Sequence, residues 1–244
     1  MKKEIDVTLL KDIVKNKTVV LVGPSPHLVG SCLGPTIDAY DIVCRVNDVL
    51  PKDLGGDYGT RTDILFHGCG TVDLEGFSFK MENNEEITKN IQLVVCPGIK
   101  ADHGWKNSTA DNFHSINKYS LPFQNMTPDT YNKYLTAVGA EPNSGIMSLL
   151  MLLESSPKKL FLTGFSFYSQ GSSYDLCYYR GHSEQKYRYA DFNPVAGHNQ
   201  NIQNSYFKKQ ILTQFRDTIK IDSYLKDLLG ISYDDVHDLG GQNE

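Results

Sequence analysis

The chain alternates short apolar runs with stretches of helical period, and glycine or proline cuts off most of the apolar runs. Thr18–Val22 reads as a buried strand that stops at Gly23-Pro24-Ser25-Pro26, a sequence no strand interior tolerates. Residues 41–46 and 63–67 read as second and third strands, the latter ending at Gly68. Residues 91–96 are a fourth, stopped by Pro97-Gly98, and 160–163 a fifth, stopped by Gly164. Lys220-Ile221-Asp222 opens a short late one. Strands and helices in alternation predict an α/β fold, with a Rossmann-like, mostly parallel central sheet and helices on both faces.

The strongest helix covers residues 145–155. Ile146, Met147, Leu149, Leu150, Leu152 and Leu153 make it apolar nearly all round, so it is expected to be central and buried, with Asn143 or Ser144 as its cap. A second long helix is expected over 199–215. Residues 98–142 are polar, rich in Asn and Tyr and weakly periodic, which suggests an irregular insertion on the sheet within a single domain spanning 1–233. The tail 234–244 is expected to be frayed.

Composition narrows the function classes. Among 244 residues, 40% are hydrophobic and 22% charged, proportions of a soluble globular protein and not of a disordered one. The net charge of -5 argues against a nucleic-acid partner. No apolar run approaches the ~18 residues a membrane span needs, and no secretory signal opens the chain. The five cysteines lack any C-x-x-C pair, which suggests buried reduced thiols rather than zinc or disulfides, and a cytoplasmic location. The sequons at Asn16, Asn107 and Asn125 are then chance matches.

Four places carry candidate chemistry. A strand running into Gly23-Pro24-Ser25-Pro26-His27 forms a first βα turn, where doubly wound sheets hold phosphates; a plain tight turn is the competing reading. The glycine spacing is wrong for a dinucleotide fingerprint, and no P-loop lysine follows. Asn47 stands just past the second strand, on the expected ligand side. Asn143-Ser144-Gly145 opens the apolar helix, where the glycine admits a ligand close to the backbone. His182 and His198 lie in a Tyr-rich stretch with Tyr178, Tyr179, Tyr187 and Tyr189, aromatics that can stack a base or sugar. Histidine is the usual general base near neutral pH. The chain has neither an Asp-x-Asp pair nor an H-x-x-x-H spacing nor G-x-S-x-G, so no metal site or serine hydrolase elbow is suggested.

Taken together these segments resemble the sialyltransferases of glycosyltransferase family 29. Residues 20–47 are similar to that family's motif L, roughly VVGNSGNLRGSGLGxxIDxHDxVxRMN, and Asp57 to Thr62 continue the match. Leu93-Val94-Val95-Cys96-Pro97, with Asp102 and Trp105 beyond, resembles a further family segment. Pro142-Asn143-Ser144-Gly145 through Gly164-Phe165 resembles motif S. His182 fits motif III, and His198, sixteen residues on, fits the VS histidine.

The resemblance implies a variant GT-A-like sialyltransferase fold and an inverting, metal-independent transfer of sialic acid from a CMP-sugar donor to a glycan acceptor hydroxyl. It implies no cofactor, with CMP as the product. CMP would be held by Gly23, Ser25, Asn47, Asn143, Ser144, Gly145, Gly164 and Phe165, with His182 on its phosphate and His198 as the base. Three departures stand out. Pro24 replaces the family asparagine, Gln203 replaces the glutamate five residues past the VS histidine, and Val19 or Val20 and Ser155 or Ser156 occupy the disulfide positions. The alternatives are a CMP-Kdo (or related keto-sugar acid) transferase, a CMP-sugar hydrolase, and a catalytically inactive CMP-binding module.

Overall fold

The computed structural model describes residues 8–47, 54–69, 74–98, 109–167 and 199–231. Among the described residues seven strands form one sheet: β1 Thr18–Val22, β2 Ile42–Val46, β3 Ile64–Phe66, β4 Leu93–Cys96, β5 Phe123–Asn125, β6 Lys159–Thr163 and β7 Ile219–Ile221. Their order is β5-β4-β3-β2-β1-β6-β7, and all six pairings are parallel. The helices are α1 Thr8–Val14, α2 Gly34–Asp38, α3 Gly55–Tyr58, α4 Leu74–Asn83, α5 Glu85–Lys89, α6 Thr109–Ile116, α7 Pro128–Val138, α8 Ser144–Glu154, α9 Gln200–Tyr206, α10 Leu212–Gln214 and α11 Ser223–Leu229.

The strands are apolar on both sides because both sides are covered. Val19 and Leu21 of β1, Cys44 and Val46 of β2 and Leu160 and Leu162 of β6 share one core with α1, α7, α8, α9 and α11. Alternate residues point the other way. Val20, Val22, Val43 and Phe161 pack with Ile37 of α2 and Tyr58 of α3. Leu65, Val94 and Phe123 pack with Phe77 and Met81 of α4 and Phe113 of α6. Arg45, on the same face of β2 as Val43, is fully buried; its Nε and one terminal nitrogen donate to the Arg61 carbonyl at 2.9 and 2.7 Å.

All six expected strands are present, each within two residues of its expected ends. The segment expected to be irregular differs: within 98–142 the structure places α6, β5 and α7. Strand β5 escapes a hydrophobic reading because only Phe123 of its three residues is apolar. Its buried Gln124 accepts a hydrogen bond from the Leu10 amide at 2.9 Å, so a polar residue occupies an interior position. Helix α7 carries a Thr127 cap, Pro128 at its first turn and a left-handed Gly139 at its end. The long C-terminal helix is interrupted: α9 runs into a π-helical turn, Phe207–Ile211, before α10. The tail 234–244 lies outside the described residues.

Candidate active site

Strands β1 to β5 step outward in one direction from the centre of the sheet, and β6 and β7 in the other. The direction reverses between β1 and β6, and a crevice at the carboxyl ends of two such strands is where open α/β sheets bind ligands. Gly23 follows β1 and Gly164 follows β6, and their backbones touch. A Cβ on Gly23 would lie 2.3 Å from the Gly164 oxygen; one on Gly164, at φ +75°, would lie 2.4 Å from the Gly23 oxygen. No side chain fits at either place.

The two loops are laced together. Gly23 N donates to Thr163 O at 2.8 Å, and Ser25 N to Gly164 O at 2.9 Å. Pro24 and Pro26 have no N–H to give. The backbone donors of residues 23–26 are therefore used up inside the fold. Within residues 23–26 the donor that remains is the Ser25 hydroxyl.

Asn47 ends β2 beside this turn, half-buried, with a left-handed φ of +59° and its amide on Phe66 O at 2.6 Å. Asparagine tolerates that conformation better than most residues. On the other side, Asn143 caps α8: its Oδ1 accepts from Ile146 N at 2.9 Å, so Asn143 and not Ser144 is the cap. Gly145 lies against the Phe165 ring, which a Cβ would approach to 2.7 Å. Gly23, Ser25, Asn47, Asn143, Ser144, Gly145, Gly164 and Phe165 thus share one rim of the sheet. His182 and His198 lie outside the described residues, as do Asp102, Trp105, Cys177 and the four tyrosines between 178 and 189.

Gln203 is fully buried on α9 and reaches back to this rim. Its Oε1 accepts the Asn143 amide at 3.0 Å, while its Nε2 has no partner among the described residues. The residue that replaces the glutamate of the resemblance is thus tied to the cap of α8.

Much of motif L is scaffold. Asp57 accepts from the amides of Gly30 and Cys32 at 2.8 and 2.9 Å, and these bonds hold its carboxyl below the usual range. Asp38 accepts from the amides of Thr60 and Arg61. Gly34 packs so tightly on the Gly55 carbonyl that a Cβ would sit 1.9 Å away.

Residues 10–133, more than half of the chain, match the family model for Glycosyltransferase family 29 (sialyltransferase). The chain belongs to glycosyltransferase family 29. Among curated proteins it is 24% identical over 182 residues to CMP-N-acetylneuraminate-beta-galactosamide-alpha-2,3-sialyltransferase 1 of Sus scrofa, covering 69% of this chain. It spans about half (49%) of that relative's length. A 50-residue stretch, 20% of the chain and 13% of the relative, is 40% identical to Sialyltransferase-like protein 2 of Oryza sativa subsp. indica. The fold resembles a mammalian sialyltransferase solved with Gal-beta-1-3GalNAc-ortho-nitrophenol (TM-score 0.55, 18% identity, 91% of this chain and 75% of that one). It also resembles the sialyltransferase CstII from Campylobacter jejuni solved with CMP-3FNeuAc (TM-score 0.58, 16% identity, 91% and 89%). The family 29 match ends inside α7, so α8, β6 and α9 lie beyond it. Their sites rest on the geometry of the rim.

Among the described residues no helix is long and apolar enough to cross a membrane, and no three His, Cys, Asp or Glu side chains cluster to hold a metal ion. Cys44, Cys69 and Cys96 are buried thiols and Cys32 is an exposed one, none of them in a disulfide among the described residues. His27 and Asp222 were not singled out in the sequence, yet they touch Ser25 and Gly164. They lie 195 residues apart, and no local pattern joins them.

Proposed function

We propose that this chain is an inverting, metal-independent glycosyltransferase that moves a sialic acid from CMP-sialic acid to a glycan hydroxyl, with His198 as general base. Membership of family 29 supports the reaction class. The observation that carries the reading is the junction of β1 and β6 at the reversal of the strand order, where Gly23 and Gly164 press together and Gly145 at the start of α8 packs on Phe165. The cytidine and ribose would lie against Ser144, Gly145 and Gly164. The phosphate would lie near Ser25 and Asn47, with His182 as a further donor.

In this reading the acceptor oxygen attacks the anomeric carbon as His198 takes its proton, and CMP leaves from the opposite face. Such a base is worth about 10²–10⁴-fold. The leaving group carries one phosphate, whose charge a few fixed hydrogen-bond donors can meet. CMP is expected to raise the melting temperature of the protein with EDTA present. His198→Ala is expected to lower transfer at least about 100-fold while CMP affinity is kept. Absence of any CMP shift at millimolar concentration removes the donor site, and an active His198→Ala removes the base. Free sugar released from CMP-sialic acid without acceptor would instead indicate a hydrolase. Faster turnover of CMP-Kdo would reassign the donor sugar.

A further inference from the structure

Beneath the crevice a chain of hydrogen bonds runs from the turn after β1 to the start of α11. Ser25 Oγ lies 2.9 Å from His27 Nδ1, and His27 Nε2 lies 3.1 Å from Asp222 Oδ2. The imidazole is stacked on Tyr224, with centroids 3.9 Å apart and planes within 13°. The His27 and Asp222 side chains are only 8% and 7% exposed. Asp222 Oδ2 also accepts from Thr163 Oγ1 at 2.7 Å and Gly164 N at 3.2 Å, and Oδ1 accepts from Leu225 N at 2.7 Å.

Burial pushes the Asp222 carboxyl up, but hydrogen bonds from His27, Leu225 and Thr163 outweigh it and hold the group below the usual carboxylate range. An ionised carboxylate only accepts, so His27 Nε2 must carry a hydrogen. The state of Nδ1 is then decisive. On a neutral ring, Nδ1 is a lone pair; the Ser25 hydroxyl must donate to it, and the serine, itself 4% exposed, has only lone pairs left to offer. On an imidazolium, Nδ1–H donates to Ser25 Oγ, and the serine's own hydrogen is released. The amides of Gly23 and Ser25 are already bonded to Thr163 O and Gly164 O. Which way the Ser25 hydrogen points therefore decides whether the serine offers an anion a hydrogen or a lone pair.

We propose that Ser25, His27 and Asp222 form a proton-linked phosphate latch: His27 takes up a proton at Nδ1 from solvent as the donor nucleotide's phosphate arrives, and the Ser25 hydroxyl turns from the ring to the phosphate. The latch rests on the CMP-sugar reading above. Ser25 is the contact, His27 and Asp222 are positioning residues, and no covalent bond changes. By linkage, a bound phosphate anion, singly charged in the CMP-sugar and doubly charged in CMP, favours protonated His27, and protonated His27 favours the phosphate. Among the described residues, the titratable groups facing the ring are Asp222 and Tyr224. Tyr58 of α3 donates its hydroxyl to Ser25 O at 2.7 Å, and α11 also carries buried Lys226 and exposed Asp227.

Calorimetric titration of the full chain with CMP, and with cytidine as the phosphate-free control, tests the latch. Runs at pH 7 to 8.5 in buffers of different ionisation heat count the protons exchanged. In that window the CMP phosphate is already almost wholly dianionic. CMP binding is expected to take up as much as one proton, and Kd to rise with pH by at most about tenfold per unit. Cytidine should show neither effect. His27→Asn is expected to abolish the uptake and flatten the CMP profile, and Ser25→Ala to weaken CMP several-fold while sparing cytidine. CMP binding without proton uptake, or uptake that persists in His27→Asn, overturns the latch and leaves the donor site standing. No CMP heat at any pH removes both. Should His27→Asn fail to fold, the wild-type proton count against cytidine decides alone.

Discussion

Gly23 and Gly164 show what a single residue decides at this site. Each oxygen lies where the other's Cβ would be, so neither loop can accept alanine without moving the other. Gly164 adds a backbone constraint, since its φ of +75° strains any L side chain. Gly164→Ala is therefore expected to cost on the order of 2 kcal/mol or more of stability, read from urea unfolding. CMP affinity should fall with it. A variant as stable as wild type would show that the crevice can open to admit a methyl group. The sequence marked both glycines as strand ends. It did not mark them as partners, because 140 residues of chain separate two atoms that touch.

At the scale of elements, the site depends on how the start of α8 is held. Eight consecutive residues of α8, from Ile146 to Leu153, are buried, which anchors the helix; its first turn is set by Asn143 as cap and Gln203 behind it. Asn143→Ala removes a cap worth about 1 kcal/mol. Gln203→Ala is expected to cost about 1 kcal/mol, because it leaves the half-buried Asn143 amide without its acceptor. It should also weaken CMP binding through the displaced turn, although Gln203 itself lies behind the rim. Unfolding curves and CMP titration of this variant check both, and unchanged values in each would disconnect α9 from the site. The apolar helix was legible from composition alone, since only a buried helix is apolar all round. The tie from α9 was not, since a glutamine in a polar stretch carries no signal of where its amide will land. Strand β5 escaped for a related reason: at an edge, with three residues and one polar side chain turned inward, it lacks the run of β-branched residues that exposed β1 to view.

On the scale of the molecule, the strand order among the described residues places one reversal in a sheet of seven parallel strands, and it falls beside β1. CMP is accordingly expected to slow hydrogen exchange in the amides around Gly23–Ser25 and Gly164–Phe165. Those of β4 and β5, at the far edge, should be unchanged; equal protection across the sheet, or protection confined to that edge, would move the site elsewhere. Local pattern was enough for every strand but β5 and for the buried helix. Each of these is written in neighbouring residues, whose apolar period and breakers act over one turn or one strand. Contacts across the sheet required the tertiary structure: the two glycines pressed together, the amides of Gly23 and Ser25 bonded to Thr163 and Gly164, and Ser25, His27 and Asp222 joined by hydrogen bonds. Such contacts depend on strand order and register, which bring distant residues within bonding distance and leave no trace in the residues beside them.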